Sequence, residues 1–437
     1  MRTVSSVEPE SSTITSLHRP TIEPTQRAMR SASFLVMTTP DRGRGCDMRG
    51  IMPARAGRLR AMHADTATPD ARPVRVLHFV TGGFSGGATQ VAIALTQAGL
   101  DSPDIEPLLV LRRKRRTDPA RIAELEQAGV PVHVVPGWSH AATIAALVKE
   151  CREFRPDILV AHGFSEHLWG RYAGLLAQVP HLVHVEHNTR ERYTRWWLKQ
   201  ARWLAARTDR IVGCSEGVRL RLLEMGMPEE RTIAIPNGIR LAPFESAEAH
   251  PVARRIPGIV MVARFSKQKD HATLLRAVAR LRDRGLHVPV LFAGGGKTLH
   301  RRPLQELAEL LGIQDQVQFL GVVRNVPELL MTHRIAALIT HYEGMPLAML
   351  EGMAAGCAVV ASAVPGVREV IEDGVEGRLV PEHDDIALAD ALETLLRDDD
   401  TATGLSVAAR AAAIERHGRD LMHARYEALF LELARAG

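Results

Sequence analysis

Glu343 and Glu351 bracket the stretch EGMPLAMLEGMAAG, with seven residues between them. The first carboxylate follows IAALIT (335–340), an apolar run that reads as a short strand, and the second falls inside the helix beyond it. Pro346 suits the first helical position, where its missing N–H costs nothing. Leu347 and Ala348 then hold backbone N–H groups that no helical carbonyl can satisfy, a natural seat for phosphate. Glu351 lies roughly 7 Å farther along at the helical rise. Phosphate between two carboxylates is a poor arrangement unless each acid has its own task. A nucleotide sugar offers those tasks, because sugar hydroxyls flank its diphosphate on one side and ribose hydroxyls on the other. These residues are therefore suited to holding an activated sugar.

Arg264 and Lys269, in VARFSKQKD, follow the first strand of the second half of the chain. Two cations five residues apart in such a loop can reach one diphosphate and stabilise the charge that builds when a glycosyl–phosphate bond breaks, without a metal. A solvated basic loop is the plainer reading of the pair taken alone. His187 ends a strand in VHVEHNTR, where it can donate a hydrogen bond to the sugar or its acceptor, or serve as a buried structural histidine. Strand alternation puts His181 and His187 on one face and His184 and Glu186 on the other, so no metal site is expected from the four. The loop TGGFSGG can bring backbone close to a ligand at Gly86 or Gly87. It is not GxGxxG, and AGGGKT (293–298) is not a P-loop, which argues against a dehydrogenase or an ATPase.

RRKRR (112–116) and RERYTRWWLKQARW (190–203) concentrate cations, the second with Tyr193, Trp196, Trp197 and Trp203. They suit an anionic membrane surface carrying a lipid-linked acceptor; packing of the tryptophans on the sheet is the alternative. The net charge of +5 is compatible with anionic substrates, and no nucleic-acid partner is expected. Cys46, Cys151, Cys214 and Cys357 are far apart with no CxxC pair, which fits a reducing cytoplasm. No apolar run approaches the roughly 18 residues that span a bilayer. The expected location is thus cytoplasmic, with any membrane contact peripheral at the inner face.

Strand and helix signals alternate in two series, from VRVLHFV at Val74 and from GIVMVARF at 258–265. The fold class is α/β, with two Rossmann-like, doubly wound parallel sheets and a ligand cleft at the carboxyl ends of their strands. Residues 1–72, rich in Ser, Thr, Pro and Arg, read as a disordered tail, with Met62 an alternative start. The expected domains are 73–240 on the acceptor side, a linker at 241–256, and 257–415 for the nucleotide sugar. Residues 416–437 form an amphipathic helix, with Met422, Tyr426, Leu429 and Leu433 at helical spacing, that packs back toward the first domain.

Together these motifs resemble glycosyltransferase family four, retaining enzymes of GT-B fold, most strongly from Val260 to Pro381, where EGMPLAMLEGMAAGCAVVAS and VPGVREVIEDGVEG look like the donor signature. The resemblance implies that Glu343 lies against the donor sugar and Glu351 holds the ribose. It implies Arg264 and Lys269 on the diphosphate, Gly86 or Gly87 in the N-terminal glycine loop, and His187 as the cleft histidine. It also implies same-face transfer to a glycan or lipid-linked acceptor, in cell-surface polysaccharide or glycolipid synthesis. An epimerase of the same fold and a catalytically silent binding protein are the alternatives. Glu343→Gln and Lys269→Ala are each expected to abolish transfer with little change in thermal unfolding.

Overall fold

The computed structural model describes residues 72–436 except 85, 116, 191 and 192. The expectations of a disordered tail and a start at Met62 lie outside the described residues.

The first half winds β1 (Val74–Thr81), α1 (Gly87–Asp101), β2 (Ile105–Arg112), α2 (Pro119–Gln127), β3 (Val132–Val135), α3 (His140–Phe154), β4 (Ile158–His162), α4 (Glu166–Ala177), β5 (His181–Glu186), α5 (Arg195–Ala205), β6 (Arg210–Gly213), α6 (Glu216–Glu224) and β7 (Thr232–Ala234). The strands form one parallel sheet in the order β3-β2-β1-β4-β5-β6-β7. The second half repeats the plan. It runs β8 (Ile256–Val262), α7 (His271–Asp283), β9 (Val290–Ala293), α8 (Thr298–Leu310), β10 (Val317–Gly321), α9 (Val326–Thr332), β11 (His333–Leu338), α10 (Leu347–Ala354), β12 (Ala358–Ser362), α11 (Pro365–Arg368), β13 (Arg378–Val380), α12 (Asp385–Arg397) and α13 (Asp399–Arg416). Its parallel sheet has the order β10-β9-β8-β11-β12-β13. In each sheet the winding reverses beside its first strand, between β1 and β4 and between β8 and β11. Helices leave opposite faces there, and a crevice opens at the carboxyl ends of the strands.

Near-continuous apolar runs such as AVVAS in β12 suit strands covered on both faces. α10 is apolar nearly all round, as a helix inside the body must be, and Gly352 brings it onto β11: a Cβ there would stand 2.8 Å from that of Ala336.

α14 (Arg419–Arg435) returns to the first sheet. Its Met422, Tyr426, Leu429, Phe430 and Leu433 are buried with Val76, Val91, Leu95, Val160 and Val185. Each large apolar side chain so covered contributes about 1.5–3 kcal/mol. The two crossings between halves run side by side, with Ile239 N–H donating to the His417 carbonyl and Arg419 N–H to that of Ile239. Within the stretch expected as a linker, Phe244, Ala247 and Val252 are buried.

Candidate functional site

The two loops at the reversal of the second sheet are tied together. Asp270 N–H donates to the Ile339 carbonyl and His341 N–H to that of Gln268, both at 3.0 Å. Gln268 Nε2 donates to the Tyr342 carbonyl at 2.7 Å, and the Asp270 side chain caps α7 through Thr273 N–H. This frame sets Lys269 against Glu343. Lys269 Nζ donates to Glu343 Oε1, and Thr340 Oγ1 donates to the same oxygen at 2.8 Å. The side chains of Lys269 and Glu343 are only 12% and 9% exposed. Arg264 lies at the surface, with Nη2 donating to Gln268 Oε1 at 3.2 Å. A diphosphate entering here would compete with Glu343 for Lys269.

α10 begins three residues beyond Gly344. Pro346 is its N-cap, with extended ψ of 108°, and not its first helical residue as the sequence suggested. Its carbonyl instead accepts from Met349 and Leu350. The consequence for chemistry is the same: Leu347 and Ala348 N–H have no hydrogen-bond partner among the described residues. Glu351 follows one turn later, without a hydrogen bond or ion pair among the described residues, and burial pushes its carboxyl up to about 7.

His187 comes from the first sheet. Glu186 folds back on the chain and accepts from His187 N–H at 2.9 Å and from Tyr193 Oη at 3.3 Å, while burial pushes the Glu186 carboxyl up. Burial, reinforced by His184, pushes the His187 imidazole down to about 3, so the ring is neutral. His187 meets the loop that carries Glu343 and Gly344 directly. A Cβ on Gly344 would stand 2.2 Å from the His187 carbonyl oxygen, so only glycine permits this approach. Thr189 Oγ1 donates to the Glu343 carbonyl at 3.0 Å, Asn237 Nδ2 to that of Met345 at 3.4 Å, and Arg190 lies over the Tyr342 ring. Glu369, just past α11, accepts from Gly217 N–H and Ser215 Oγ at the start of α6. Gly344→Ala is expected to lower transfer at least about tenfold by wedging the two halves apart. It should leave affinity for the donor within about twofold, as steady-state kinetics and calorimetry would read.

The structure thus gathers Lys269, Glu343, Leu347 and Ala348 with His187. Gly86 and Gly87 lie at the carboxyl end of β1, where Gly86 is the N-cap of α1. Among the described residues, a Cβ at Gly86 would come no nearer than 3.7 Å to another heavy atom outside its chain neighbours, and one at Gly87 would meet nothing within 4 Å. Packing therefore does not demand either glycine, whereas Gly82 is pressed against Thr117 and Arg112. The α1 loop is stapled by Thr89 Oγ1, 3.0 Å from both the Thr81 and Gly83 carbonyls.

Neither basic stretch is uniformly exposed. Arg112 is buried, its Nη1 3.4 Å from Glu166 Oε1, and Lys114 Nζ lies 2.9 Å from the same oxygen. Burial opposes ionisation of Glu166, but Lys114, Ser165 and Arg112 outweigh it and hold the carboxyl below its usual range. Arg113 and Arg115 are exposed, and Arg116 lies outside the described residues. On α5, Trp197 packs against Phe164 and Trp169, while Trp196 is 68% exposed and Arg207 stacks on Trp203 at 3.9 Å.

Sequence reasoning missed Glu166, Gln268, Thr340 and His167. His184 and Glu186 share a face as alternation requires, and His167 from α4 joins them within 4.8 Å. The fully buried Arg171 guanidinium bonds to His167 Nδ1, which opposes a cation there. Asp270, His341 and His383 form a second such group.

Residues 85–242 match the model of Glycosyltransferase Family 4, and residues 246–412 that of Glycosyl transferases group 1. The putative glycosyltransferase EpsF of Bacillus subtilis is 28% identical over 69% of this chain and 82% of its own. The D-inositol 3-phosphate glycosyltransferase of Nocardia farcinica is 34% identical over 54% of this chain, and just over half of that relative, 56%, is spanned. Among solved structures, Anabaena Alr3699/HepE in complex with UDP and glucose superposes with a TM-score of 0.72 at 22% identity, over 82% of this chain and 100% of that one. Sucrose-phosphate synthase from Thermosynechococcus elongatus gives 0.70 at 19%, over 83% and 100%. At such identities the likeness is one of fold, the GT-B arrangement of two parallel-sheet domains. With both halves matched in order, the chain belongs to the family-four, group-1 glycosyltransferases.

Proposed function

We propose that the protein moves a hexose from a nucleoside-diphosphate donor to a glycan or lipid-linked acceptor, with retention at the anomeric carbon. The second domain holds the donor and the first presents the acceptor. The observation that carries this reading is the placement of Lys269 on Glu343, four and five residues before the N–H groups of Leu347 and Ala348, which have no partner among the described residues. Arg264, Lys269 and those amides supply the positive charge the diphosphate needs, so no metal is assigned to it. Glu343, released from Lys269, accepts from sugar hydroxyls, and Glu351 accepts from the ribose. Transfer proceeds on one face, with the departing phosphate taking the acceptor proton while His187 stays neutral. The UDP and glucose bound by Alr3699/HepE support a nucleotide sugar as donor.

A panel of UDP-, GDP- and ADP-sugars read by thermal shift tests the reading. A donor at a hundredfold its dissociation constant adds about 2.7 kcal/mol of stability. No shift with any of them would overturn it. Product formed only when an acceptor is added separates transfer from epimerisation.

Exposed Arg113, Arg115, Trp196, Lys199 and Arg202 extend the reading to peripheral contact with an anionic membrane at the cytoplasmic face, where a lipid-linked acceptor resides. No helix among the described residues is long and apolar enough to cross a membrane. Co-sedimentation is expected to recover more protein with anionic than with neutral vesicles, and less after Trp196→Ala. Equal recovery with both would count against the membrane.

A further inference from the structure

Three histidines climb one face of the first sheet toward the cleft. His78 lies on β1, His162 ends β4 and His187 follows β5, and these strands are neighbours. In register, His78 stands opposite Val160 and His162 opposite Val185. Each histidine is therefore two residues nearer the carboxyl edge than the last, and a step of two keeps the same face. The staircase brings His78 Nδ1 to 3.1 Å from His162 Nε2, and His162 Nδ1 to 3.4 Å from His187 Nε2. At the far end Phe430 of α14 packs edge-on to the His78 ring. At the near end His187 Nδ1 is buried with no partner among the described residues.

A close contact between two ring nitrogens needs one proton, with a donor on one side and an acceptor on the other. Burial keeps all three rings neutral, holding His78 and His187 at about 3 and His162 well below its ordinary value. Three neutral imidazoles carry three ring protons. Two occupy the two contacts, which leaves the third for one free end, His187 Nδ1 or His78 Nε2. The three tautomers are thereby locked together: fixing the state of one ring fixes the others.

We propose that His162 and His78 are positioning residues that present His187 Nδ1 as a hydrogen-bond donor to a sugar or phosphate oxygen of the bound nucleotide sugar. The ligand half of this inference rests on the donor reading above; the coupling of the three rings does not. A bound oxygen supplies an acceptor at the cleft end and draws the third proton there. His162 then donates through Nδ1 to His187 Nε2, and His78 through Nδ1 to His162 Nε2. His187 thus donates without carrying charge, and its ring is held at the correct angle by a contact that water cannot replace.

Ring-nitrogen NMR on 15N-histidine protein, with signals assigned by substitution at each position, tests both halves. In the free protein the three rings should stay neutral to below pH 5, and His162→Phe should change the His187 nitrogen signals. Independent titration near pH 6.5, or unchanged His187 signals in His162→Phe, would overturn the coupling whatever the ligand. With UDP-glucose as probe, His187 Nδ1 should become the protonated nitrogen; an unprotonated Nδ1 in the complex would overturn the donor role. In transfer assays His162→Phe should lower kcat about tenfold or more with KM changed less than about threefold. His162→Asn, whose amide can still donate to His187 Nε2, should recover most of that loss. Equal loss in the two variants would show His162 to be a packing residue only. Absence of UDP-glucose binding would count against the donor reading and leave the free-protein test standing.

Discussion

Glu343→Gln should lower kcat/KM for sugar transfer by about 100- to 1000-fold, the loss seen when one preorganised polar group is removed from a reacting centre. The amide retains an oxygen for Thr340 Oγ1 but cannot neutralise Lys269 or accept from sugar hydroxyls as a carboxylate does. Lys269→Ala should lose transfer to a similar degree, for a different reason: a diphosphate held as proposed would lose its buried cation. The sequence led to an expectation of little change in unfolding in both variants, and the ion pair revises it. Lys269→Ala strands a carboxylate whose side chain is 9% exposed. Breaking a buried pair from one side costs about 3 kcal/mol. Glu343→Gln leaves a flexible ammonium that can reach water, so its melting temperature should fall less. Paired calorimetric melts and initial-rate assays check both statements. Wild-type activity in either variant would remove these residues from the site.

The second large effect concerns Glu351 and pH. Burial pushes its carboxyl up to about 7, above the ordinary 4.5. Between those values the folded protein binds the proton that the unfolded chain has released. This group therefore makes stability fall as pH rises from about 4.5 to about 7, and adds no further change above that. Glu351→Gln should flatten that part of the stability profile. Binding of the donor should show the opposite trend. A nucleotide sugar has no group of its own titrating near neutrality, and ribose hydroxyls donate best to an ionised carboxylate. Affinity should then rise as pH passes through about 7, by roughly tenfold for one hydrogen-bonded charge. In Glu351→Gln the rise should vanish, with affinity weak throughout and kcat at saturation within about threefold of wild type. A normal affinity with only kcat reduced would show that Glu351 does not hold the ribose.

The alternation of strands and helices in two series was legible because strands such as β1 and β12 are apolar runs, whereas short β13, RLV, carries no such pattern. The pattern of α14 was legible too, since Met422, Tyr426, Leu429 and Leu433 repeat at the helical period. The contact of Lys269 with Glu343 was not, although both residues stood out. They are 74 positions apart and meet because β8 and β11 are neighbours, a fact of strand order that local spacing does not encode. Arg112 was read as a surface cation because its partner, Glu166, is supplied by α4 far along the chain. His78 and His162 gave no signal, since each lies in an apolar strand and their alignment depends on register between three strands. Pro346 missed by one position because a proline N-cap and a proline at the first helical residue look alike in sequence.

Titration of UDP into the wild type and into the Arg264→Ala, Lys269→Ala double variant by calorimetry reaches furthest into the proposed site. The diphosphate should bind the wild type and lose at least about thirtyfold in affinity when both cations are gone, roughly 2 kcal/mol. Equal affinity in the two proteins would place the nucleotide elsewhere and contradict the site described here.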